Sequence, residues 1–313
     1  MSITPAAVAV LGLGTMGLPM AANIRMAGIP TVVWNRTPPP AAVLDGPEAV
    51  PTASEAVARA GVVVTMVSDV DAVLSIARDH GMLAALAPGA IWVQMSTIGV
   101  ADTERLIDLV AAERPDVLFV DAPVSGSAEP ARNGTLTVLA SGPVSARIVL
   151  DPLFSAVGER TVWVGEAGAG SRMKLVVNTW LALGAEAVVS SLVLAHRLGL
   201  ETGTVLATLE GSPLVSAWQG AKLERIADDD FSAQFALSLA LKDVRLAVEA
   251  AGRNALPTLE ALSAEWQGAV AEGYGSQDLT AVLTALDAKN GQTAEVVQRE
   301  RRTSRDVGAP LDG

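Results

Sequence analysis

Three glycines near the N-terminus set the first constraint. Gly12-Leu13-Gly14-Thr15-Met16-Gly17 follows an apolar run at 6–11 and opens a segment with helical spacing at 15–26. A short buried strand running through a glycine turn into a helix is the start of a βαβ unit. Gly12 permits the tight turn, Gly14 lets a ligand approach the backbone, and Gly17 lets helix and strand pack closely. The free N–H groups at the start of such a helix suit phosphate. The spacing predicts a dinucleotide whose pyrophosphate lies on Gly12, Gly14, Thr15, Met16 and Gly17.

The pattern continues. Strand-like runs at 31–35, 62–67, 91–95, 117–122, 135–140 and 161–165 alternate with helical segments at 52–59, 70–78, 99–113 and 143–156. Such alternation predicts a parallel, doubly wound sheet with helices on both faces. After about residue 167 the strand signals stop. Helical spacing then recurs at 171–198, 202–210, 213–226, 232–252, 257–272 and 278–287. The expected fold is therefore α/β: an N-terminal Rossmann domain over residues 1–167, then an all-helical domain over 168–313. The polar end of the chain, from Gln298 to Gly313, reads as a frayed tail. Pro38-Pro39-Pro40 reads as a local turn and helix start.

Composition excludes several functions. The 313 residues carry a formal net charge of −12, which repels phosphate backbones and argues against nucleic acid as a partner. The chain has no cysteine and two histidines, so thiolate chemistry and cysteine- or histidine-rich metal sites are excluded. The N-terminus lacks a basic n-region. The most apolar long stretch, Leu175 to Leu194, is interrupted by Asn178, Gly184 and Glu186 and reads as a buried helix rather than a membrane span. A soluble cytoplasmic protein is expected.

The end of the second strand separates the two nicotinamide dinucleotides. An acid there holds the ribose 2′-OH, whereas arginine accommodates a 2′-phosphate. Here the sequence is Trp34-Asn35-Arg36-Thr37, with no acid. Arg36 can pair with the phosphate dianion, and Asn35 and Thr37 can hydrogen-bond it. NADP is the expected cofactor.

The stretch Gly168 to Asn178, GAGSRMKLVVN, holds the chemistry. Lys174 and Asn178 are separated by one helical turn and share a face. An ammonium beside a carboxamide offers a proton donor and a hydrogen-bonding group. Hydride addition to a carbonyl builds charge on oxygen, which a protonated lysine stabilises and then neutralises. For oxidation a neutral lysine must accept the proton, so its usual pKa of about 10.4 would have to fall. The Ser125-Gly126-Ser127 turn offers hydroxyls and backbone N–H groups suited to a carboxylate.

In these blocks the chain resembles the β-hydroxyacid dehydrogenases, the family of 3-hydroxyisobutyrate dehydrogenase and the glyoxylate/succinic semialdehyde reductases. GLGTMGLPMAANI at 12–24 looks like the family's cofactor loop and DAPVSGSAEPARNGTL at 121–136 like its substrate loop. GAGSRMKLVVN at 168–178 looks like its catalytic block, and KDVRLA at 242–247 resembles a cofactor-proximal segment. The resemblance implies oxidation of a 3-hydroxy acid or reduction of its semialdehyde, commonly in a homodimer or homotetramer. It implies Lys174 as acid/base, Asn178 holding the reacting group and Ser125, Gly126 and Ser127 on the substrate carboxylate. It also implies Thr97 near the nicotinamide and Lys242 over the cofactor or the active-site mouth. Many relatives read Ser-Gly-Gly where this chain has Ser125-Gly126-Ser127, which bears on the substrate.

The chain also resembles the imine reductases, which share the architecture but generally lack lysine at the position of Lys174. Imine or ketone reduction is the alternative reading, and a catalytically idle NADP-binding interaction module a third. Other candidates have plainer readings. His80, His196, Trp218 and Trp266 read as structural, Lys242-Asp243 also fits a surface pair, and Asp228-Asp229-Asp230 fits a solvated turn.

Overall fold

The computed structural model describes residues 7–37, 48–252 and 254–289. The chain divides into two compact units, one of residues Met1–Thr179 with Asp243–Leu256, the other of Trp180–Lys242 with Pro257–Gly313.

The first unit opens with β1 (Val8–Leu11), α1 (Gly17–Met26), β2 (Thr31–Trp34), β3 (Glu48–Ala49), α2 (Ala53–Ala58), β4 (Val62–Thr65), α3 (Val70–Ala77), α4 (Met82–Ala85), β5 (Ile91–Gln94), α5 (Val100–Glu113) and β6 (Leu118–Asp121). These strands form one six-stranded sheet in the order β3-β2-β1-β4-β5-β6, and every pairing is parallel. The doubly wound Rossmann sheet expected from the alternation is present. Its central strands are buried on both faces because successive side chains point to opposite sides. Val8, Val10, Val33, Val62, Val64 and Val93 join one core cluster. Their neighbours Ala9, Leu11, Val32, Val63, Trp92 and Phe119 join the other.

The strand-like runs at 135–140 and 161–165 do not extend this sheet. Together with β7 (Val124–Ser125), β8 (Leu136–Ala140) and β9 (Gly158–Trp163) make a separate three-stranded sheet, order β7-β8-β9. β7 pairs antiparallel with β8, and β8 parallel with β9. Helix α6 (Ala128–Asn133) joins β7 to β8, and α7 (Val144–Val157) joins β8 to β9. β8 is anchored beside the large sheet by an antiparallel bridge from Ser141 to Asp121, where β6 ends.

Among the described residues beyond 168 the main elements are helices: α8 (Ala169–Arg197), α9 (Thr202–Leu209), α10 (Ala217–Ala227), α11 (Leu237–Ala251) and α12 (Pro257–Ala271). Helix α8 is long and apolar enough, by length and composition, to cross a membrane. Its burial follows a helical stripe instead: Leu175, Asn178, Ala182, Ala185, Val189 and Leu192 are buried, while Val176, Trp180 and Leu194 on other faces are exposed. The helix is therefore buried along one side rather than all round.

Two helix starts come later than the spacing predicts. α10 begins at Ala217, set by a capping box in which Ser216 and Gln219 bond each other's backbone N–H. Residues 232–236 stay non-helical, because the backbone N–H groups of Gln234 and Phe235 donate to the Asp278 carboxylate at 3.1 and 3.2 Å. That carboxylate also holds buried Lys222 Nζ at 2.8 Å. The triple-proline segment and the polar C-terminal end fall outside the described residues.

Candidate active site

The glycine loop behaves as sterics demand. Gly12 has φ +104°, and a Cβ there would lie 2.7 Å from Val67 Cγ1 and collide with the Met66 carbonyl. A Cβ on Gly17 would overlap the Gly12 carbonyl oxygen. Gly14 differs: a Cβ there would meet nothing within 4 Å. Two of the glycines are thus needed for packing, and the third keeps an open approach to the backbone. Helix α1 starts behind this loop with no side-chain cap at Met16 and no acid in its first turn. Its leading N–H groups face no local anion that would compete with phosphate. These residues fit a dinucleotide.

At the end of β2, Asn35 bridges two segments. Its Oδ1 accepts from Leu13 N–H at 3.0 Å, and its Nδ2 donates to the Thr37 carbonyl at 2.7 Å. Both ends of the carboxamide are thereby engaged in shaping the loop. Arg36 and Thr37 are exposed beside it.

Thr97 follows β5 at a rigid corner. Gln94 folds its side chain back onto the chain, accepting from Ser96 N–H at 2.7 Å and donating to the Ser96 carbonyl at 2.8 Å. Ser96 Oγ accepts from Val67 N–H at 2.8 Å. The half-buried Thr97 is presented just past this clamp. Two residues on, a Cβ on Gly99 would come 2.8 Å from Leu246 Cδ2. The 242–247 segment therefore reaches this loop through Leu246.

Ser125 closes β7, Gly126 adopts φ +134°, and Ser127 leads into α6 without making a side-chain cap. Ser125 and Ser127 are half-buried and Gly126 exposed. Buried Asn23 of α1 donates to the Ala131 carbonyl of α6 at 2.8 Å. The helix behind the glycine loop is thereby tied to the helix behind the serine loop.

Lys174 and Asn178 stand one turn apart on α8, 8% and 4% exposed. Asn178 Nδ2 donates to Asp243 Oδ2 at 2.5 Å. The sequence reading missed Asp243 as part of this group. The signal was present: Asp243 falls on the same helical stripe of α11 as buried Ala240, Val244 and Ala247. Lys242, its neighbour, is half-buried on α11 and belongs to the second unit.

The remaining candidates make local contacts. His196 contacts Asp287 at 2.8 Å and Thr202 at 2.9 Å, and His80 packs on Trp34 with ring centroids 4.8 Å apart. Trp266 is buried, and Trp218 lies 5.7 Å from Lys222 Nζ. Asp230 pairs with Arg225 at 2.9 Å in the turn after α10.

A Rossmann sheet, an open glycine loop and a buried lysine–amide pair define a class: the nicotinamide-dependent oxidoreductases. A family model for the NAD binding domain of 6-phosphogluconate dehydrogenase matches residues 7–165. Another, described as NAD-binding of NADP-dependent 3-hydroxyisobutyrate dehydrogenase, matches residues 168–286. Glyoxylate/succinic semialdehyde reductase 1 of Arabidopsis thaliana is 30% identical over 281 residues, covering 88% of this chain and 96% of the relative. The chain belongs to the β-hydroxyacid dehydrogenase family and is an NAD(P)-dependent enzyme of that family. The structure of Mycobacterium tuberculosis 3-hydroxyisobutyrate dehydrogenase with L-serine superposes with a TM-score of 0.79 at 29% identity, over 90% of this chain and 99% of that one. An imine reductase from Myxococcus stipitatus in complex with NADP+ shares the fold, with a TM-score of 0.59 at 21% identity over 90% and 99% of the two chains.

Proposed function

We propose that this chain is an NADP-dependent oxidoreductase acting on a small β-hydroxy acid or the corresponding semialdehyde. The observation that carries the reading is the near-complete burial of Lys174, one turn from Asn178. Bound NADPH supplies the hydride. Lys174 as an ammonium stabilises the charge that builds on the carbonyl oxygen and gives that oxygen its proton. In the reverse direction neutral Lys174 takes the hydroxyl proton. Asn178, its amide oriented by Asp243, hydrogen-bonds the reacting oxygen.

Ser125, Gly126 and Ser127 anchor the carboxylate with hydroxyl and backbone donors. Gly12, Gly14, Thr15, Met16 and Gly17 hold the pyrophosphate. Arg36 and Thr37, exposed past β2, take the 2′-phosphate, while Asn35 sets the loop that receives it. Thr97 lies near the nicotinamide, and Lys242 near the cofactor or the mouth of the site. In this reading residues 1–167 carry the cofactor, and residues 168–313 supply substrate and subunit contacts. Exposed Trp180 and Leu194 on α8 support a homodimer or homotetramer in which another copy covers that helix.

The test is an NADPH-oxidation screen over short semialdehydes, 2-oxo acids and cyclic imines, repeated with NADH. The reading requires fastest turnover on an oxo compound bearing a carboxylate. Faster turnover of imines replaces it with imine reduction. Tight NADPH binding without turnover on any of them replaces it with a cofactor-binding interaction module.

A further inference from the structure

The first turn of α8 is held by a buried polar cluster that hydride transfer does not itself require. Asp121, at the end of β6, has no exposure, and Ser141, Ser171 and Thr103 around it are 3% exposed or less. Asp121 Oδ2 accepts from Ser171 N–H at 2.7 Å, and Oδ1 accepts from the Ser171 hydroxyl at 2.7 Å. Ser141 Oγ lies 3.2 Å from Oδ2 and accepts from Gly170 N–H at 2.9 Å. Thr103 Oγ1 of α5 lies 3.0 Å from Ser171 Oγ. The fit leaves no room: a Cβ on Gly170 would overlap the Leu139 carbonyl oxygen and lie 2.8 Å from the Asp121 carbonyl oxygen.

Three other helices here are capped locally. Thr52, Asp69 and Ser216 each accept a backbone N–H three residues on, at solvent-exposed sites. Any of those arrangements satisfies a helix start. Helix α8 is capped instead from the large sheet, by a residue 50 positions away. That choice is costly: a buried carboxylate is unfavourable unless its oxygens are hydrogen-bonded. Burial pushes the Asp121 carboxyl above the usual range, while the donors on Ser171 and Ser141 oppose the rise. The cap also places a carboxyl at the positive end of the helix. What it gains over a local cap is a fixed place for the first turn against the end of β6. Lys174 follows Ser171 by three residues.

We propose that Asp121 is a positioning residue for the reaction: gripping both the backbone and the hydroxyl of Ser171, it fixes the first turn of α8 and thereby the stations of Lys174 and Asn178. The inference rests on Lys174 being the acid/base. A displacement of a reacting group by about 1 Å costs about 100-fold in rate, so loosening this turn acts on kcat.

The test uses the full chain, with succinic semialdehyde and glyoxylate as probes and saturating NADPH. Asp121→Asn keeps the shape and one acceptor but removes the charge. It is expected to lower kcat about 10- to 100-fold, while the KM for the aldehyde and the Kd for NADPH stay within about twofold. Ser171→Ala, losing the hydroxyl contacts to Asp121 and Thr103 but keeping the backbone bond to Asp121, lowers kcat less. In a Lys174→Ala background, adding Asp121→Asn lowers the residual turnover by a clearly smaller factor than in the parent, because only Asn178 remains to be placed. Unchanged kcat in Asp121→Asn overturns the inference, and so does an equal loss with and without Lys174. If Asp121→Asn does not fold, Ser171→Ala and Ser141→Ala carry the same test, and unchanged kcat in both overturns it. A Lys174→Ala chain at full turnover removes the lysine reading and this inference with it. An inactive Lys174→Ala chain beside an unaltered Asp121→Asn chain removes this inference alone.

Discussion

Asn178 donates its carboxamide N–H to Asp243 at 2.5 Å, and both side chains are buried. The bond fixes which end of the amide faces Asp243 and which faces away. Replacing Asn178 by Asp sets two carboxyl groups against each other at that site, and they cannot both ionise. The folded pair then keeps a proton that the unfolded chain releases in the ordinary carboxylate range, so stability is full below that range, falls as the pH rises through the raised folded value, and is flat above it. Asn178→Asp is therefore expected to melt below Asn178→Ala at pH 8, with the gap closing toward pH 5. A thermal melt series in both buffers checks this.

The glycine loop yields a contrast between two like substitutions. Gly17→Ala forces a methyl into the Gly12 carbonyl oxygen, whereas Gly14→Ala adds one in open space. Gly17→Ala is expected to lower stability by about 1–3 kcal/mol through overpacking. Gly14→Ala folds with an unchanged melting temperature and loses affinity for the cofactor, whose pyrophosphate needs that approach. Melting curves with and without NADPH separate the two.

On the proposed reading, Arg36 sets the preference for NADP over NAD. A charge-assisted hydrogen bond contributes about 1.5–3 kcal/mol, or roughly 10- to 100-fold in affinity. Arg36→Ala is expected to raise the KM for NADPH by that factor and to leave the KM for NADH within about twofold, since NADH has no 2′-phosphate to pair with. Equal changes for the two cofactors remove the role given to Arg36.

Glu265 of α12 and Glu186 of α8 form a carboxyl pair in the second unit. Burial first, then the charge of Glu186, pushes the Glu265 pKa up to about 7, against the opposing charge of Lys289. The folded chain thus keeps a proton that the unfolded chain releases in the ordinary glutamate range. Stability is full below that range, falls as the pH rises to about 7, and is flat above. Glu265→Gln keeps a hydrogen-bond donor and removes the fall. Because Glu265 is partly solvated, the gain is of order 1 kcal/mol, or about 2–4 °C in Tm, at pH 8 and vanishes at pH 4.5. Calorimetry across this interval measures it.

Legibility in the sequence followed the range of the interactions. The strand, glycine turn and helix of residues 8–26 could be read because each requirement is local: a buried apolar strand, and glycines where a Cβ would clash. The Lys174–Asn178 pairing could be read because helical spacing alone brings the two onto one face. Pairing between distant segments could not. Nothing local in 135–140 distinguishes a further strand of the large sheet from the middle of a second one; that depends on Val124 and Ser125 pairing with Val138 and Thr137. Residues 232–236 looked helical because the Asp278 carboxylate that takes their N–H groups lies more than 40 positions away. Asp121 carried no sign of its bond to Ser171, 50 positions on. Asp243, next to Lys242, is bonded to Asn178, 65 positions away in sequence.

The central claim is that Lys174 moves the proton, and single-turnover NADPH oxidation by Lys174→Ala tests it most directly. With NADPH binding retained, the rate of hydride transfer to the preferred oxo acid is expected to fall about 10²- to 10⁴-fold, the range for loss of a general acid. A folded Lys174→Ala chain that oxidises NADPH at the parental rate contradicts the account.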